Sequence, residues 1–192
     1  VHGFVLSKGV VTQLDVPVAG ILSTDPQGLN DGGTVVGYYV DASNASHGFT
    51  WKAGTYTELP DAPNAVQTVP YAINSQGDIA GSWLDGSGVT HGFLLKNGAY
   101  TSIDVPGAVQ TIANGINDSD VILGYYCATQ ACIQTNLNAQ SYTLSNGTFT
   151  NINLPWPIDT TYAFPSAINN AGTILGYFVD TADLTHSFTL AP

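Results

Sequence analysis

The chain has 192 residues, 44% of them apolar and only 9% charged, with 14 acidic side chains against three Lys and no Arg. A net charge of −11 repels phosphate backbones and anionic lipid headgroups, so no nucleic-acid and no membrane-surface partner is expected. No apolar run reaches the roughly 18 residues that a membrane-spanning helix needs, and frequent Gly (21) and Pro (10) point to turn-rich β-structure.

A chain that lacks Met and opens on Val1 reads as a processed or excised segment. From there one pattern recurs. His-Gly-Phe stands at His2-Gly3-Phe4, His47-Gly48-Phe49 and His91-Gly92-Phe93, with degenerate copies at Gln140-Ser141-Tyr142 and His186-Ser187-Phe188. The period of about 46 residues belongs to solenoids, propellers and arrays. It divides a single repeat domain into units of about 2–46, 47–90, 91–139 and 140–185, with an extra C-terminal strand at 186–192.

Within each unit the elements follow one order. His-Gly-Phe opens a short strand that ends in a hairpin turn at Lys8-Gly9, Lys52-Ala53-Gly54, Lys96-Asn97-Gly98 or Ser145-Asn146-Gly147. A second strand runs over Val11 to Val16, Tyr56 to Leu59, Tyr100 to Val105 and Phe149 to Leu154, and stops near Pro17, Pro60, Pro106 and Pro155. A variable loop leads to an Asn turn at Asn30, Asn74, Asn117 and Asn169. Then comes a strand with a fixed glycine at Gly37, Gly81, Gly124 and Gly176, read as the crowded inner strand of a blade. A fourth strand is expected near the Asn turn. The fold class is therefore all-β: a four-repeat antiparallel β-propeller with almost no helix.

These residues resemble the extracellular HAF repeat family. The shared signature is Ile-Asn, a turn, Ile-x-Gly-Tyr-Tyr-x-Asp, His-Gly-Phe, and later Leu-Asp-x-Pro-Gly. The stretch from Asn136 to Asp180 departs most, with Gln140 in place of His and Asn153 in place of Asp. The resemblance implies secretion and a repetitive β-fold. It implies no reaction, and no catalytic residue is carried over.

His-Gly-Phe-type strands occur five times and Gly-Tyr strands four times. The N-terminal hairpin, residues 2–16, could pair with 174–180, leaving 186–190 in excess. That surplus strand could then lie on an outer edge, be left over from a longer array, or enter another molecule as a strand-exchanged assembly.

Three Asp-x5-His pairs, Asp41 with His47, Asp85 with His91 and Asp180 with His186, place a carboxylate beside an imidazole across a hairpin. Such pairs can orient a metal ligand or a general base, but one pair per blade reads better as a structural fastener. His2 has no such partner, and the third unit carries Ala128 and Gln140 instead. Asp25 and Asp159 fall in corresponding variable loops, where a glycosidase could use them from one face. All three Lys occupy the same hairpin turn, and no phosphate-binding loop, dinucleotide fingerprint or Gly-x-Ser-x-Gly elbow is present. No cofactor is expected, although Asn117-Asp118-Ser119-Asp120 and Asp41-Ala42-Ser43-Asn44 offer oxygen ligands suited to Ca²⁺. Cys127 and Cys132 lack further soft ligands nearby, which favours a local disulfide, with two free thiols as the alternative.

Two segments break the repeat: the loop from Cys127 to Ala139, and the stretch from Leu154 to Pro165 with Trp156, Asp159, Tyr162 and Phe164. Rigid prolines and aromatic faces beside an acid suit stacking on a sugar or on a protein partner. The expected function is an extracellular, non-catalytic module that binds a glycan or protein ligand through these four residues. Two rivals stand beside it: a self-assembling structural protein that exchanges terminal strands, and a secreted hydrolase or lyase using Asp and His.

Overall fold

The structure is a computed structural model that describes residues 1–135, 138–153, 160–180 and 182–192. It is a β-propeller of four antiparallel sheets. A separate two-stranded hairpin, β1 and β2 (Gly3–Ser7 and Val10–Leu14), precedes the four blades. Three four-stranded blades follow. They are β3 to β6 (Ser23–Leu29, Thr34–Val40, Ser46–Lys52, Thr55–Glu58), β7 to β10 (Ala65–Ile73, Ile79–Asp85, Thr90–Lys96, Ala99–Ile103) and β11 to β14 (Gln110–Ile116, Ile122–Cys127, Gln140–Ser145, Thr148–Asn151). The fourth blade has three strands, β15 to β17 (Thr160–Ile168, Ile174–Asp180, Thr185–Leu190). The one helix among the described residues, α1 (Gln130–Thr135), lies in the loop closed by the Cys127–Cys132 disulfide.

Each blade straddles two of the sequence units, because its innermost strand precedes the Asn turn. This is the fourth strand that the sequence left undefined. Two expectations are corrected. The glycine-bearing strand is second in each sheet, not innermost. The N-terminal hairpin does not pair with 174–180, because β17 occupies that slot, with Gly176 opposite Phe188.

The fixed glycine follows from this order. A Cβ at Gly124 would collide with the Ile112 carbonyl oxygen of the first strand and the Tyr142 ring of the third. At Gly81 it would meet the Val69 carbonyl and the Phe93 ring. In these blades the far end of the third-strand aromatic ring thus occupies the space a side chain would need.

Core formation happens between blades. The residue before the glycine enters the following blade: Val36 packs with Ile73, Phe93 and Leu95; Ala80 with Ala113, Ile116 and Tyr142; Leu123 with Ile174 and Phe188. Burying a leucine such as Leu123 completely contributes about 2 kcal/mol. Buried threonines at Thr24, Thr68 and Thr111 accept hydrogen bonds from the backbone N–H of Val16, Ala62 and Val105, so each link between blades is tied to the next inner strand.

The turns at the two ends of each second strand use the same acceptor geometry with different residues. Asn117 Oδ1 accepts from Ser119 and Val121 N–H, both at 3.0 Å. Asp85 Oδ1 accepts from Ser87 and Val89 N–H at 2.9 and 2.8 Å. The spare group explains the choice. The amide Nδ2 of Asn30 donates to the Asn74 carbonyl at 2.9 Å, Asn74 to that of Asn117 at 3.4 Å, and Asn117 to that of Asn169 at 3.1 Å. A carboxylate in that ladder would set oxygen against oxygen. At the other turn the second Asp oxygen faces a histidine, where a negative charge is favourable.

Candidate functional site

Each innermost strand carries a β-bulge. Register shifts fall between Pro26 and Gly28, Pro70 and Ala72, Ala113 and Gly115, and Pro165 and Ala167. The unpaired residues are Gln27, Tyr71, Asn114 and Ser166. A bulge re-aims the side chain it leaves unpaired, and all four line one cavity of about 410 Å³ at the centre of the sheets. Tyr125 on β12, Phe164 on β15 and Tyr177 on β16 complete the aromatic part of its wall. The Tyr125 and Phe164 rings meet edge to face at 4.7 Å, and Phe164 lies 5.7 Å from Tyr177.

Among the described residues no charged side chain lines this cavity. Burial, with Tyr71 and Tyr177 nearby, pushes the Tyr125 hydroxyl up to about 12, so it remains a neutral donor at physiological pH. Ser82 donates to the Tyr71 hydroxyl at 3.4 Å. Asn114 donates through Nδ2 to the Pro165 carbonyl at 2.6 Å, while its buried Oδ1 has no partner among the described residues. An unmet buried acceptor is costly unless something donates to it. The cavity wall presents aromatic faces, amides and hydroxyls.

Of the four binding residues expected from sequence, Trp156 and Asp159 lie outside the described residues. Tyr162 falls on β15 opposite Val179, its side chain also outside what is described. Phe164 is buried and reaches the axial cavity. Asp25 is not in a loop but within β3, opposite Tyr38, where it accepts from the Ser23 hydroxyl. Sequence reasoning missed Gln27, Tyr71, Asn114, Ser166, Tyr125 and Tyr177. For the first four the signal is positional: three residues before each ladder Asn, the residue type changes from unit to unit.

The His and Asp residues form separate clusters, one on the hairpin and one on each of the first, second and fourth blades, while the third blade carries Gln140 in place of the histidine. His47 contacts Asp41 at 3.4 Å and Asp61 at 3.2 Å, and His91 contacts Asp85 at 3.5 Å and Asp104 at 2.7 Å. His186 contacts Asp180 at 2.9 Å. His2, expected to be unpartnered, pairs with Asp15 at 2.8 Å. Asp61 and Asp104 are thus second partners of the third-strand histidines His47 and His91. Trp83 stacks on His91 at 4.4 Å and Phe178 on His186 at 4.9 Å, which fixes the rings further. The Asp41 carboxyl is held down to about 2, first by the Ser43 hydroxyl and then by the Ala45 N–H; that of Asp85 is held equally low by the Val89 N–H and the Ser87 hydroxyl.

Among the described residues no group of three or more His, Cys, Asp or Glu side chains is placed to hold a metal ion. In the two turns with oxygen ligands the carboxylates are engaged. Asp118 accepts from Ser75 N–H and Asn170 Nδ2, and Asp120 accepts from Lys96, which also bridges to Asp78 of the neighbouring turn. No described helix is long and apolar enough to cross a membrane.

No known protein family and no curated protein matches this sequence. Solved structures do match in shape. A triple arginine-to-alanine mutant of AofleA from Arthrobotrys oligospora aligns with a TM-score of 0.57 at 12% identity, over 98% of this chain and 61% of that one. A structural-genomics target assigned as a gluconolactonase aligns with a TM-score of 0.52 at 13% identity, over 96% and 64%. The chain spans about three-fifths of the length of these structures. At such identities the likeness concerns the fold alone, and that fold is the β-propeller.

Proposed function

We propose that this chain is a secreted, non-catalytic binding module whose ligand is a neutral carbohydrate held in the axial cavity. One observation carries the reading: four bulges in four blades turn Gln27, Tyr71, Asn114 and Ser166 toward one uncharged, tyrosine-rich space. Sugar rings stack on tyrosine faces, and their hydroxyls both donate and accept, matching the amides and the unmet Asn114 Oδ1. The Cys127–Cys132 disulfide supports an extracytoplasmic setting, as does the resemblance to HAF repeats. The hydrolase alternative draws less support, because the His–Asp clusters are distributed singly over the blades and bind one another.

Glycan-array screening followed by titration calorimetry tests this. Tyr71→Ala and Gln27→Ala are expected to weaken a positive glycan by about tenfold each, the scale of one aromatic or hydrogen-bonding contact, while thermal stability is kept. Trp156→Ala should leave that affinity intact. Loss on Trp156→Ala alone would move the site to the 154–165 segment, and an array with no positive glycan would reject the carbohydrate reading.

A further inference from the structure

Two neighbouring blade junctions inside the array differ at one aromatic position. The fourth strand of a blade sets a ring edge-on against the ring of the third: Tyr100 meets Phe93 at 5.1 Å in the second blade, and Phe149 meets Tyr142 at 5.3 Å in the third. Both rings hold the same register, Tyr100 opposite Leu95 and Phe149 opposite Leu144. The Tyr100 hydroxyl crosses the junction and donates to the Pro60 carbonyl, just past the last strand of the first blade, at 2.7 Å. Burial, with the Asp61 charge nearby, raises the pKa of that hydroxyl and keeps it a neutral donor. Phe149 has no hydroxyl, so it makes no such bond to the second blade.

Asp104 holds the place that Pro60 holds one blade earlier. Ile103 lies opposite Gly92, as Leu59 bonds through its N–H to the Gly48 carbonyl, and Asp104 and Pro60 come next in the chain. The Asp104 carboxylate is engaged by His91 Nδ1 at 2.7 Å and by the Ser102 hydroxyl at 2.8 Å. Its main-chain carbonyl accepts no hydrogen bond among the described residues. At this place a cleft of about 340 Å³ opens between β9 and β10 of the second blade and the third blade. Leu94, Ile122, Leu144 and Phe149 form its apolar wall, and Ser102 and Asp104 its polar side. Leu94, Leu144 and Phe149 pack on the buried core of Ile103, Ile122 and Tyr142, so the wall is held by the fold itself. Both blades are complete four-stranded sheets.

We propose that this cleft is a second ligand site, separate from the axial cavity, and that it takes a small neutral phenol. The neighbouring junction names the occupant: there an aromatic ring places its hydroxyl on a main-chain carbonyl. A free phenol lays its ring against Leu94, Leu144 and Phe149 and donates its O–H to the Asp104 carbonyl. The volume falls in the range of small-molecule pockets, and the mix of apolar wall and a few polar groups is the usual one. The adjacent Asp104 carboxylate and the net charge of −11 repel phenolates and aromatic carboxylates, which restricts the site to uncharged rings.

Titration of the isotope-labelled protein with p-cresol, followed by amide NMR, tests the proposal. Saturable shifts are expected at Leu94, Ser102, Asp104, Ile122 and Phe149. The methyl ether of p-cresol keeps the ring and loses the donor, and should bind about fivefold more weakly, the effect of one hydrogen bond. Phe149→Tyr supplies the hydroxyl from the chain itself. It should weaken p-cresol at least as much while leaving the melting temperature equal or higher, since Tyr100 shows that the fold accepts tyrosine at this position. The p-hydroxybenzoate anion should give no saturable shift at the cleft. Absence of saturable p-cresol shifts there, equal affinity for the methyl ether, or p-cresol binding unchanged by Phe149→Tyr would each overturn the proposal.

Discussion

Two positions near the C-terminal end of each innermost strand stand three residues apart and obey opposite rules. At one of them Asn30, Asn74, Asn117 and Asn169 are identical and are linked from blade to blade. At the other, Gln27, Tyr71, Asn114 and Ser166 occupy one structural position with four different side chains. A ladder needs the same donor at every step, so it tolerates no variation. A bulge needs only an extra residue, so it leaves side-chain choice to whatever occupies the axis. Identity across repeats therefore marks architecture here, and difference at a fixed position marks the candidate for recognition.

The largest expected effect comes from breaking the architecture at its tightest point. Gly124→Ala puts a methyl group against the Ile112 carbonyl and the Tyr142 ring, neither of which can retreat, and should cost about 3 kcal/mol or more in chemical denaturation. Next is the ladder. Asn117→Asp replaces the amide that donates to Asn169 with a buried carboxylate facing a carbonyl, for an expected loss of about 2–3 kcal/mol. The same change at exposed Asn169 should cost less than about 0.5 kcal/mol, and equal losses at both positions would refute the ladder's role.

The smallest effect is pH-dependent. Asp41 and Asp85 have folded-state values of about 2, below their ordinary 3.8. A depressed carboxylate adds stability that is complete above the unfolded value and disappears as pH falls through the folded one. Melting temperature should therefore hold steady above about pH 5 and decline modestly toward pH 2, since both groups are only partly buried and remain screened by solvent. Asp41→Asn and Asp85→Asn should flatten that decline.

Much of the architecture was legible because turns announce themselves. Lys-Asn-Gly and its variants located the outer hairpins, and the Asn turn and His-Gly-Phe located the second and third strands. The first strand was hidden by its own proline. Pro26, Pro70 and Pro165 each sit at the bulge of that strand, where a proline is tolerated. The fixed glycine signalled close approach but not from which side, so its strand was placed innermost rather than second. The Asp–His pairs were correctly brought together by spacing, whereas Asp15, Asp61 and Asp104, one strand farther on, were not linked to the same histidines. Attention went to Trp156 and Asp159 because an enlarged loop is conspicuous. A single position that changes identity at each repeat is visible only after the repeats are superposed on their bulges.

The amide ladder has a direction, since each of the first three blades donates forward to the carbonyl of the next. A duplicated unit inserted at any junction would find the acceptor it requires and present the donor its successor requires. Gene duplication could thus lengthen such an array without redesigning a single interface, and each new copy would arrive with one unconstrained side chain aimed at the centre. Growth in size and diversification of specificity would then proceed as the same evolutionary event.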